Sequence, residues 1–278
     1  MNSAAPSTIE TMQLGGDVRA PLLFIATVGR FDDATSRATM DELVEWVENC
    51  YRDDLLKRPS KHIYIRKLPA PVIEKIDQLR ENSNIIEKIL NQFPREYVVT
   101  PMTHTDELYI SHYNKDRGGD QGLYDKHYDG NLRFLPYGAV VRALIYLQSD
   151  ATYKVVFHDS RVEKAFVTYE FGLLDFHREL HWVEGQFNPA DQQRILLKCN
   201  YLVTPRTGGV GAYAVSAANT AVFYVVKAAM EYSKSPKTLL QRFVGLMCNL
   251  FRLLNNIHPI VPFALIIGIL ALAAWLVS

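Results

Sequence analysis

Apolar positions follow two different periods along the chain, and the change occurs near residue 97. Before it, apolar side chains recur every three or four residues over three segments, which is the spacing of one helical face. The predicted helices cover residues 40–51, 69–79 and 85–93, and two runs with strand character cover 22–28 and 62–66. Pro71 suits the first turn of the second helix, and Pro94 ends the third.

After residue 97 the apolar runs become short and are separated by Gly, Asn, Asp and Pro. Many short strands at close spacing predict a β-sandwich or a β-barrel. The predicted strands cover residues 97–99, 107–113, 140–147, 154–157, 165–169, 172–176, 181–183 and 195–203. Their number, about eight, is that of a jelly roll.

The last 20 residues, 259–278, contain no charged side chain. As a helix they would be about 30 Å long, which is the thickness of the hydrocarbon core of a membrane. The stretch just before them contains bases and no acids, and the positive-inside rule keeps such a stretch in the cytosol. The bases are Lys234, Lys237, Arg242 and Arg252. We therefore expect residues 257–278 to be a single-pass tail anchor, with a buried core helix as the alternative.

The remaining segments complete the organisation of the chain. Residues 235–256 combine apolar positions with scattered bases, which fits an amphipathic helix on the membrane surface or a linker helix packed on the folded domain. The first 16 residues lack the basic and apolar regions of a signal peptide. The predicted parts are a disordered leader at 1–20, an α/β support region at 21–96, a strand-rich core at 97–205, a helical linker at 206–256 and the anchor at 257–278.

Composition narrows the classes of function. The 30 basic residues equal the 30 acidic ones, so no overall charge draws the chain to nucleic acid and no such partner is expected. The three cysteines, Cys50, Cys199 and Cys248, lie far apart and form no C-x-x-C pair. This spacing argues against a disulfide framework and against a zinc site, and it suits thiols in a reducing compartment.

The candidate chemistry centres on an H-x-D motif formed by His127 and Asp129. In a strand, residues two apart point to the same face, so these two side chains can hold one metal ion. A single H-x-D motif is common by chance, so the prediction of a metal site depends on the residues around it.

The segment around the motif resembles the first core strands of the prolyl-4-hydroxylase branch of the Fe(II)/2-oxoglutarate-dependent dioxygenases. In that branch a strand ends in Tyr, a glycine-bearing loop follows, and a second Tyr stands three residues before the H-x-D motif. The corresponding positions here are Tyr113, Gly118-Gly119 and Tyr124. The segment VVRALIYLQSD resembles the next strand, which ends in Tyr-Leu-Asn in the family; Tyr146 matches, and Gln148 stands in place of the Asn.

The second half of the core continues the resemblance. The segment FGLLDFHRELHWVEG is similar to the family segment that supplies the distal iron-binding histidine, which assigns this role to His181 and leaves His177 as the alternative. The segment QRILLKCNYLV is similar to the closing strand, whose first basic residue binds 2-oxoglutarate. That residue is Arg194, and Lys198 lies on the same face of the strand as the fallback.

The resemblance implies a fold and a set of cofactors. The expected fold class is α+β, with a double-stranded β-helix (jelly-roll) core, N-terminal helices and the C-terminal transmembrane helix. Fe(II) would be held by His127, Asp129 and His181, a facial triad that leaves positions open for 2-oxoglutarate and O2. Ascorbate is compatible with this chemistry as an additional reductant.

The family also implies which residues contact the cosubstrate. A planar guanidinium suits the distant carboxylate of 2-oxoglutarate, and Arg194 would supply it. Hydroxyl groups near the cosubstrate would come from tyrosines at the family positions, which are Tyr113, Tyr124 and Tyr146.

Two features depart from the family pattern. His181 and Arg194 are 13 residues apart, which is more than is usual in the family, and the segment NPADQ fits a loop insertion there. The family segment Gly-Gly-x-T-x-F is absent, and residues 151–157 (ATYKVVF) stand in its place. Contacts on the substrate side are therefore expected to differ from those of the family.

Three hypotheses of function follow. The first is an enzyme that hydroxylates an aliphatic carbon, such as that of a protein-bound proline, and converts 2-oxoglutarate and O2 to succinate and CO2. The second is a non-catalytic membrane-anchored adaptor that retains the jelly-roll fold. The third is a cupin-like metal enzyme that does not use 2-oxoglutarate. For the first, a protein or peptide substrate is favoured, a lipid or small molecule is the alternative, and the catalytic domain is expected in the cytosol.

Overall fold

The structure is a computed structural model, and it describes residues 24–55, 60–111, 125–130, 139–185, 194–206, 238–243, 245–247 and 250. The helices of the N-terminal part are α1 (Ala34–Leu55), α2 (Ala70–Arg80) and α3 (Ser83–Leu90). The strands are β1 (Thr27–Arg30), β2 (Ser60–Tyr64), β3 (Tyr97–Pro101), β4 (Glu107–Ser111), β5 (Ala139–Gln148), β6 (Asp150–Phe157), β7 (Val162–Val167), β8 (Glu170–Asp175), β9 (His181–Gly185) and β10 (Arg194–Pro205).

The strands form two antiparallel sheets. The larger sheet has the order β1-β8-β5-β10-β4-β2, with β3 also paired to β10, and the smaller sheet has the order β7-β6-β9. Along one edge β10 pairs with β5. Along its other edge, residues 194–198 pair with β4 and residues 201–205 pair with β3. The strand β10 is therefore hydrogen-bonded on both sides over most of its length.

From β4 to β10 the chain passes back and forth between the two sheets. It leaves β4 in the larger sheet, reaches His127, which bridges to β9 in the smaller sheet, and returns to the larger sheet as β5. The strands β6, β7 and β9 then lie in the smaller sheet, while β8 and β10 lie in the larger. This alternation is the winding of a double-stranded β-helix, the jelly roll expected from the sequence.

The larger sheet packs on the helices with its outer face and on the smaller sheet with its inner face. Successive side chains of a strand point to opposite faces. In β5, Ala143 and Ile145 belong to the outer core with the helices, and Leu144 and Tyr146 belong to the inner core. Burial on both faces explains why the sequence of β5, AVVRALIYLQ, is almost continuously apolar and does not alternate.

The helix α1 begins well before the apolar stripe that predicts it. The Asp33 carboxylate accepts the backbone N–H of Ser36 at 2.7 Å, which caps the first turn. The first turns, ATSRAT, carry few large apolar side chains, so the helical pattern in the sequence becomes visible only from residue 40. The prediction was right about the helix but missed its first six residues, 34–39, and its last four, 52–55.

The segments before residue 97 also contribute strands to the larger sheet. The strand β1 pairs with β8, and β2 pairs with β4. The run predicted at 22–28 forms its strand at 27–30, and the run predicted at 62–66 forms its strand at 60–64. The N-terminal part thus extends the jelly-roll sheet as well as covering its outer face with helices.

The predicted membrane segment cannot be compared with the fold. Among the described residues, no helix is long and apolar enough to cross a membrane. The predicted anchor at 257–278, most of the linker at 206–256 and the leader at 1–20 lie outside the described residues.

A buried ion pair ties α2 to the larger sheet. Arg80, at the end of α2, is 2% exposed, and its Nε donates a hydrogen bond of 2.8 Å to the Asp106 carboxylate. The second oxygen of Asp106 accepts the backbone N–H of Asn200 on β10, also at 2.8 Å. The Tyr201 hydroxyl donates to the Arg80 carbonyl at 2.8 Å. Charged groups therefore connect the helix to the central strand of the sheet.

Replacing Asp106 with alanine should destabilise the fold strongly, because the buried Arg80 guanidinium would lose its one fully buried carboxylate partner and keep only Asp77, which is half-exposed. Removing one partner of a buried pair typically costs about 3–5 kcal/mol in the free energy of unfolding. Urea unfolding of the wild type and the variant measures this difference. The matched control is Glu42→Ala, which removes the partner of Lys75 in an exposed pair and should cost less than about 1 kcal/mol. Equal losses in both variants would contradict the role of burial.

Candidate metal centre

Two histidines from distant parts of the chain are joined by their backbones. The N–H of His127 donates to the carbonyl of His181 at 3.1 Å, and the N–H of His181 donates to the carbonyl of His127 at 3.0 Å. This isolated antiparallel bridge brings the two ring centroids within 4.4 Å of each other. The pair therefore stands at the start of β9, where the loop before β5 crosses to the smaller sheet.

Both rings are oriented by a backbone carbonyl two residues earlier. The Nδ1 atom of His127 lies 2.7 Å from the carbonyl oxygen of Asp125, and the Nδ1 atom of His181 lies 3.1 Å from that of Glu179. A carbonyl oxygen only accepts hydrogen bonds, so each Nδ1 carries the proton. Each Nε2 then presents its lone pair, which is the arrangement of a metal-binding histidine.

Asp129 completes the cluster. One of its carboxylate oxygens lies 3.8 Å from Nε2 of His127, and the other lies 3.5 Å from Nε2 of His181. One ligand atom from each of the three residues lies within 4.8 Å of the others. The H-x-D segment is a bridge followed by a bend and not the regular strand that the sequence suggested. The bend nevertheless directs His127 and Asp129 to the same point.

The donor set suits a divalent metal with open coordination positions. Two imidazoles and one carboxylate form the facial triad of non-haem iron(II) oxygenases. The orientation of both rings by backbone carbonyls is the outer-shell support that such ligands usually have. The residues present therefore fit the metal that the sequence implies.

The electrostatics of the cluster keep its ligands in the forms that bind metal. Burial opposes the charge of Asp129, but the nearby Arg142, His181 and His127 outweigh it and hold the pKa of this carboxyl below its usual range. Burial is also the main reason why the pKa of His181 falls to about 4, although Asp129 acts in the opposite direction. At neutral pH the carboxylate is ionised and the His181 ring is neutral.

A glycine next to the motif allows the loop to pack closely. The N–H of Gly130 donates to the carbonyl of Phe176 at 2.7 Å. A Cβ atom at this position would lie 2.1 Å from Nδ1 of His177, so no larger residue fits without displacing that ring. His177, the alternative distal ligand, lies in the turn after β8, packs under the loop and is not in the three-residue cluster. Burial lowers its pKa to about 3.

A second polar group of residues lies on the inner face of the larger sheet. Arg194, the first residue of β10, is 3% exposed and stands opposite Ser111 in the register with β4. Tyr146 on β5 is fully buried and stands opposite Leu196, two residues further along β10. Burial raises the pKa of Tyr146, and the positive charge of Arg194 opposes this rise. The hydroxyls of Ser111 and Tyr146 have no hydrogen-bond partner within the described part of the chain.

Lys198, the fallback for the cosubstrate, has a carboxylate partner of its own. Its Nζ lies 3.4 Å from one oxygen of Glu107 on β4, and the other oxygen of Glu107 lies 3.4 Å from Nδ1 of His62. The Lys198 ammonium also lies 4.6 Å from the ring centroid of Tyr109. Burial lowers the pKa of this lysine, and Glu107 opposes the shift.

The structure brings His127, Asp129 and His181 into one cluster and places Arg194 near Tyr146. Tyr113 and Tyr124 lie outside the described residues. Sequence reasoning missed Arg142, whose Nη1 lies 2.7 Å from an oxygen of Asp129. The signal was a single charged residue inside the apolar run of β5, which must find a partner when it is buried.

No protein-family model matches the chain, and no curated protein matches it in sequence. Solved structures do match. A prolyl hydroxylase from Trichoplax adhaerens, in complex with a peptide fragment of hypoxia inducible factor, is 15% identical over 63% of this chain and 82% of that chain, with a TM-score of 0.42. A prolyl-4-hydroxylase from Pseudomonas putida is 14% identical over 63% and 91%, with a TM-score of 0.36.

A third match is the epimerase SnoN from nogalamycin biosynthesis, in complex with Fe3+ and alpha ketoglutarate. It is 10% identical over 67% of this chain and 83% of that chain, with a TM-score of 0.42. Similarity at this level assigns no activity to this chain.

Alanine at His127, Asp129 or His181 should each abolish the binding of Fe(II) or of its substitute Mn(II), because two donors no longer form a facial set. Equilibrium dialysis followed by metal analysis measures the loss, and far-UV circular dichroism checks that the fold remains. His177→Ala is the control, since that ring lies beside the cluster without belonging to it, and its metal content should equal that of the wild type. Loss of metal in His177→Ala with retention in His181→Ala would show that the ligand assignment is wrong.

Proposed function

We propose that this protein is a non-haem iron dioxygenase that hydroxylates an aliphatic carbon while converting 2-oxoglutarate to succinate. The observation that carries the proposal is the cluster of His127, Asp129 and His181, in which both rings present Nε2 to one carboxylate. Iron bound there would supply the activation of O2 that couples the decarboxylation of 2-oxoglutarate to oxidation of the substrate. Overall, a C–H bond, O2 and 2-oxoglutarate give a C–OH group, succinate and CO2.

The chain's own contribution to this reaction is to fix the ligands before the metal arrives. The backbone bridge sets the distance between the two histidines, and the carbonyls of Asp125 and Glu179 set the rotation of their rings. Ligands that are held in position lose little conformational freedom on binding, which favours both affinity and a single geometry. The open side of the triad is left to 2-oxoglutarate and O2.

The polar side chains around Arg194 suit the distant carboxylate of 2-oxoglutarate. A carboxylate there would accept hydrogen bonds from the guanidinium of Arg194 and from the hydroxyls of Ser111 and Tyr146. These side chains are buried, and strand register places them near one another. Buried hydroxyls usually have a hydrogen-bond partner, so a ligand oxygen would satisfy them. Arg194 is better suited to this role than Lys198, because a planar guanidinium can donate two parallel hydrogen bonds to a carboxylate and an ammonium cannot.

The substrate class that we propose is a protein side chain, with proline first. The support is the resemblance of the core segments to prolyl hydroxylases, and a lipid or a small molecule remains the alternative. The sequence at 151–157 differs from the family segment on the substrate side, so the residues that recognise the substrate are expected to be particular to this chain.

The test of the function is succinate formation by the full-length protein in air with Fe(II) and 2-oxoglutarate. Wild-type protein should form succinate, and proline-containing peptides should accelerate the reaction more than phospholipid vesicles or free amino acids. His181→Ala is the control and should give only background. Iron binding without succinate would favour a metal enzyme that does not use 2-oxoglutarate, and absence of both would favour a non-catalytic adaptor.

Arg194→Met should raise the apparent KM for 2-oxoglutarate by at least about 30-fold while leaving iron affinity nearly unchanged. Removing the charged partner of a buried carboxylate typically costs about 2–5 kcal/mol, and each 1.4 kcal/mol corresponds to a factor of about ten. Initial rates of succinate formation at varied 2-oxoglutarate give the KM. The matched control is Lys198→Met, which removes a cation four residues along the same strand and should change KM less. The reverse order would move the role to Lys198.

We also propose that the C-terminal part of the chain attaches the protein to a membrane and leaves the catalytic domain in the cytosol. In the helical segments at 239–243 and 245–247, large apolar side chains are exposed on one face. They recur at intervals of four and three residues, through Leu239, Phe243, Leu246 and Leu250. The 20 uncharged residues that follow at 259–278 favour a lipid environment as the partner of this face.

Full-length protein should remain in the membrane fraction after washing with alkaline carbonate, because a spanning segment is held by its apolar surface and not by charge. Deletion of residues 257–278 should release the protein, and an N-terminal tag should be open to protease on intact membranes. Extraction of the full-length protein by carbonate would argue against a spanning anchor. A tag protected from protease would argue against the cytosolic orientation.

A further inference from the structure

Arg142 is a buried cation that directly contacts a residue of the metal cluster. It lies in the middle of β5 and is 4% exposed. Its Nη1 donates to Oδ2 of Asp129 at 2.7 Å, which is the distance of a charge-assisted hydrogen bond. The same Oδ2 lies 3.5 Å from Nε2 of His181, and the other oxygen, Oδ1, lies 3.8 Å from Nε2 of His127 and has no contact with Arg142 among those described. The contact therefore involves one carboxylate oxygen and leaves the other available.

The guanidinium of Arg142 is itself held in place on two further sides. Its Nε donates to the side-chain oxygen of Asn200 at 3.0 Å, and its Cζ lies 4.4 Å from the ring centroid of Phe176. Asn200 is in turn fixed, because its side-chain nitrogen donates to both the hydroxyl and the carbonyl of Thr105 at 3.0 and 3.2 Å. A guanidinium with this many anchors has a defined position and can set the position of the carboxylate that it binds.

The same network continues to the outer layer of the fold. The backbone N–H of Asn200 donates to Asp106, which accepts the buried Arg80 of α2. The chain of contacts thus runs from the helix, through the central strand of the larger sheet, to the carboxylate of the metal cluster. Asp129 lies on a loop, and this network fixes the position of its carboxylate relative to β5 and β10.

We propose that Arg142 is a positioning residue that holds Oδ2 of Asp129 and thereby makes this aspartate a metal ligand through a single oxygen. A carboxylate can bind a metal ion through one oxygen or through both. Two histidines and a two-oxygen carboxylate would leave only two of six positions, whereas 2-oxoglutarate and O2 together need three. By occupying the second oxygen, Arg142 would preserve the third open position.

This inference rests on the proposed function and deepens it. It differs from a purely structural role for the Arg142–Asp129 pair, in which loss of the arginine would lower stability and metal affinity together. In the role proposed here, Arg142 keeps the metal from one oxygen of Asp129. Its removal should therefore not weaken metal binding, because the metal gains access to both oxygens and has one fewer cation nearby. The cost should appear in the binding of 2-oxoglutarate.

The experiment uses the full-length protein loaded with Co(II), whose visible absorption depends on the number of ligands. Arg142→Met should bind Co(II) at least as tightly as the wild type and should show an altered visible spectrum. Its Co(II) form should bind 2-oxoglutarate at least tenfold more weakly. The spectrum is recorded before 2-oxoglutarate is added. It therefore reports how Asp129 binds the metal and not how the loss of the Arg142 charge affects the binding of 2-oxoglutarate.

Arg142→Lys should restore the wild-type spectrum, because an ammonium can still donate to one oxygen of Asp129. The matched control is Arg37→Met, which removes an arginine of α1 whose partners, Asp32 and the carbonyl of Phe31, lie outside this network. It should lower thermal stability and leave the Co(II) spectrum and the 2-oxoglutarate affinity unchanged. If Arg142→Met does not fold, Arg142→Gln replaces it and should show the same changes to a smaller extent.

Three outcomes would overturn the inference. The first is a wild-type spectrum together with wild-type 2-oxoglutarate affinity in Arg142→Met. The second is a loss of Co(II) affinity in that variant of tenfold or more, and the third is an equal spectral change in Arg37→Met. Absence of Co(II) binding by the wild type would contradict the proposed function as well as the role of Arg142. Normal Co(II) binding by the wild type together with any of the three outcomes above would contradict the role of Arg142 alone.

Discussion

The pairing of β10 along both of its edges is the constraint on which the rest of the site depends. Because β5 lies on one side and β4 and β3 on the other, the register of β10 is fixed twice. Alternation then places Arg194, Lys198 and Asn200 on the inner face, and a slip of one residue would turn all three toward the helices. The pairing with β5 is irregular between Ile195 and Leu196, close to Arg194, and bulges of this kind often adjust a side chain beside a functional site.

The ligand cluster depends on a different kind of contact, since its histidines are aligned by backbone hydrogen bonds. The bridge between His127 and His181 and the carbonyls that receive their Nδ1 protons require no particular neighbouring side chain. A sequence requirement next to the ligands is Gly130, where a Cβ atom would meet His177. Asp129 is the exception, because its carboxylate is oriented by Arg142 and so by the interior of the larger sheet.

The sequence predicted the elements that repeat a local pattern and missed those that depend on distant partners. The short strands and the pair His127 and Asp129 could be identified because strand alternation and the H-x-D motif are local, whereas His181 was assigned only through the family resemblance of its segment. The partners of Arg142 could not, since Asp129 and Asn200 lie 13 and 58 residues away and no pattern links them. The end of β7 was also misplaced: the prediction extended the strand to Tyr169, whose φ of 71° places it in the turn to β8.

Charge balance in the interior links the metal to the cosubstrate. The described groups around the cluster and the pocket include three cations, Arg142, Arg194 and Lys198, and two carboxylates, Asp129 and Glu107. A divalent metal alone would raise the excess of positive charge from one to three, which is costly where water is largely excluded. The dianion of 2-oxoglutarate returns the excess to one. Electrostatics therefore favours the binding of the two together, and the basic residues on the inner face of β5 and β10 are the reason.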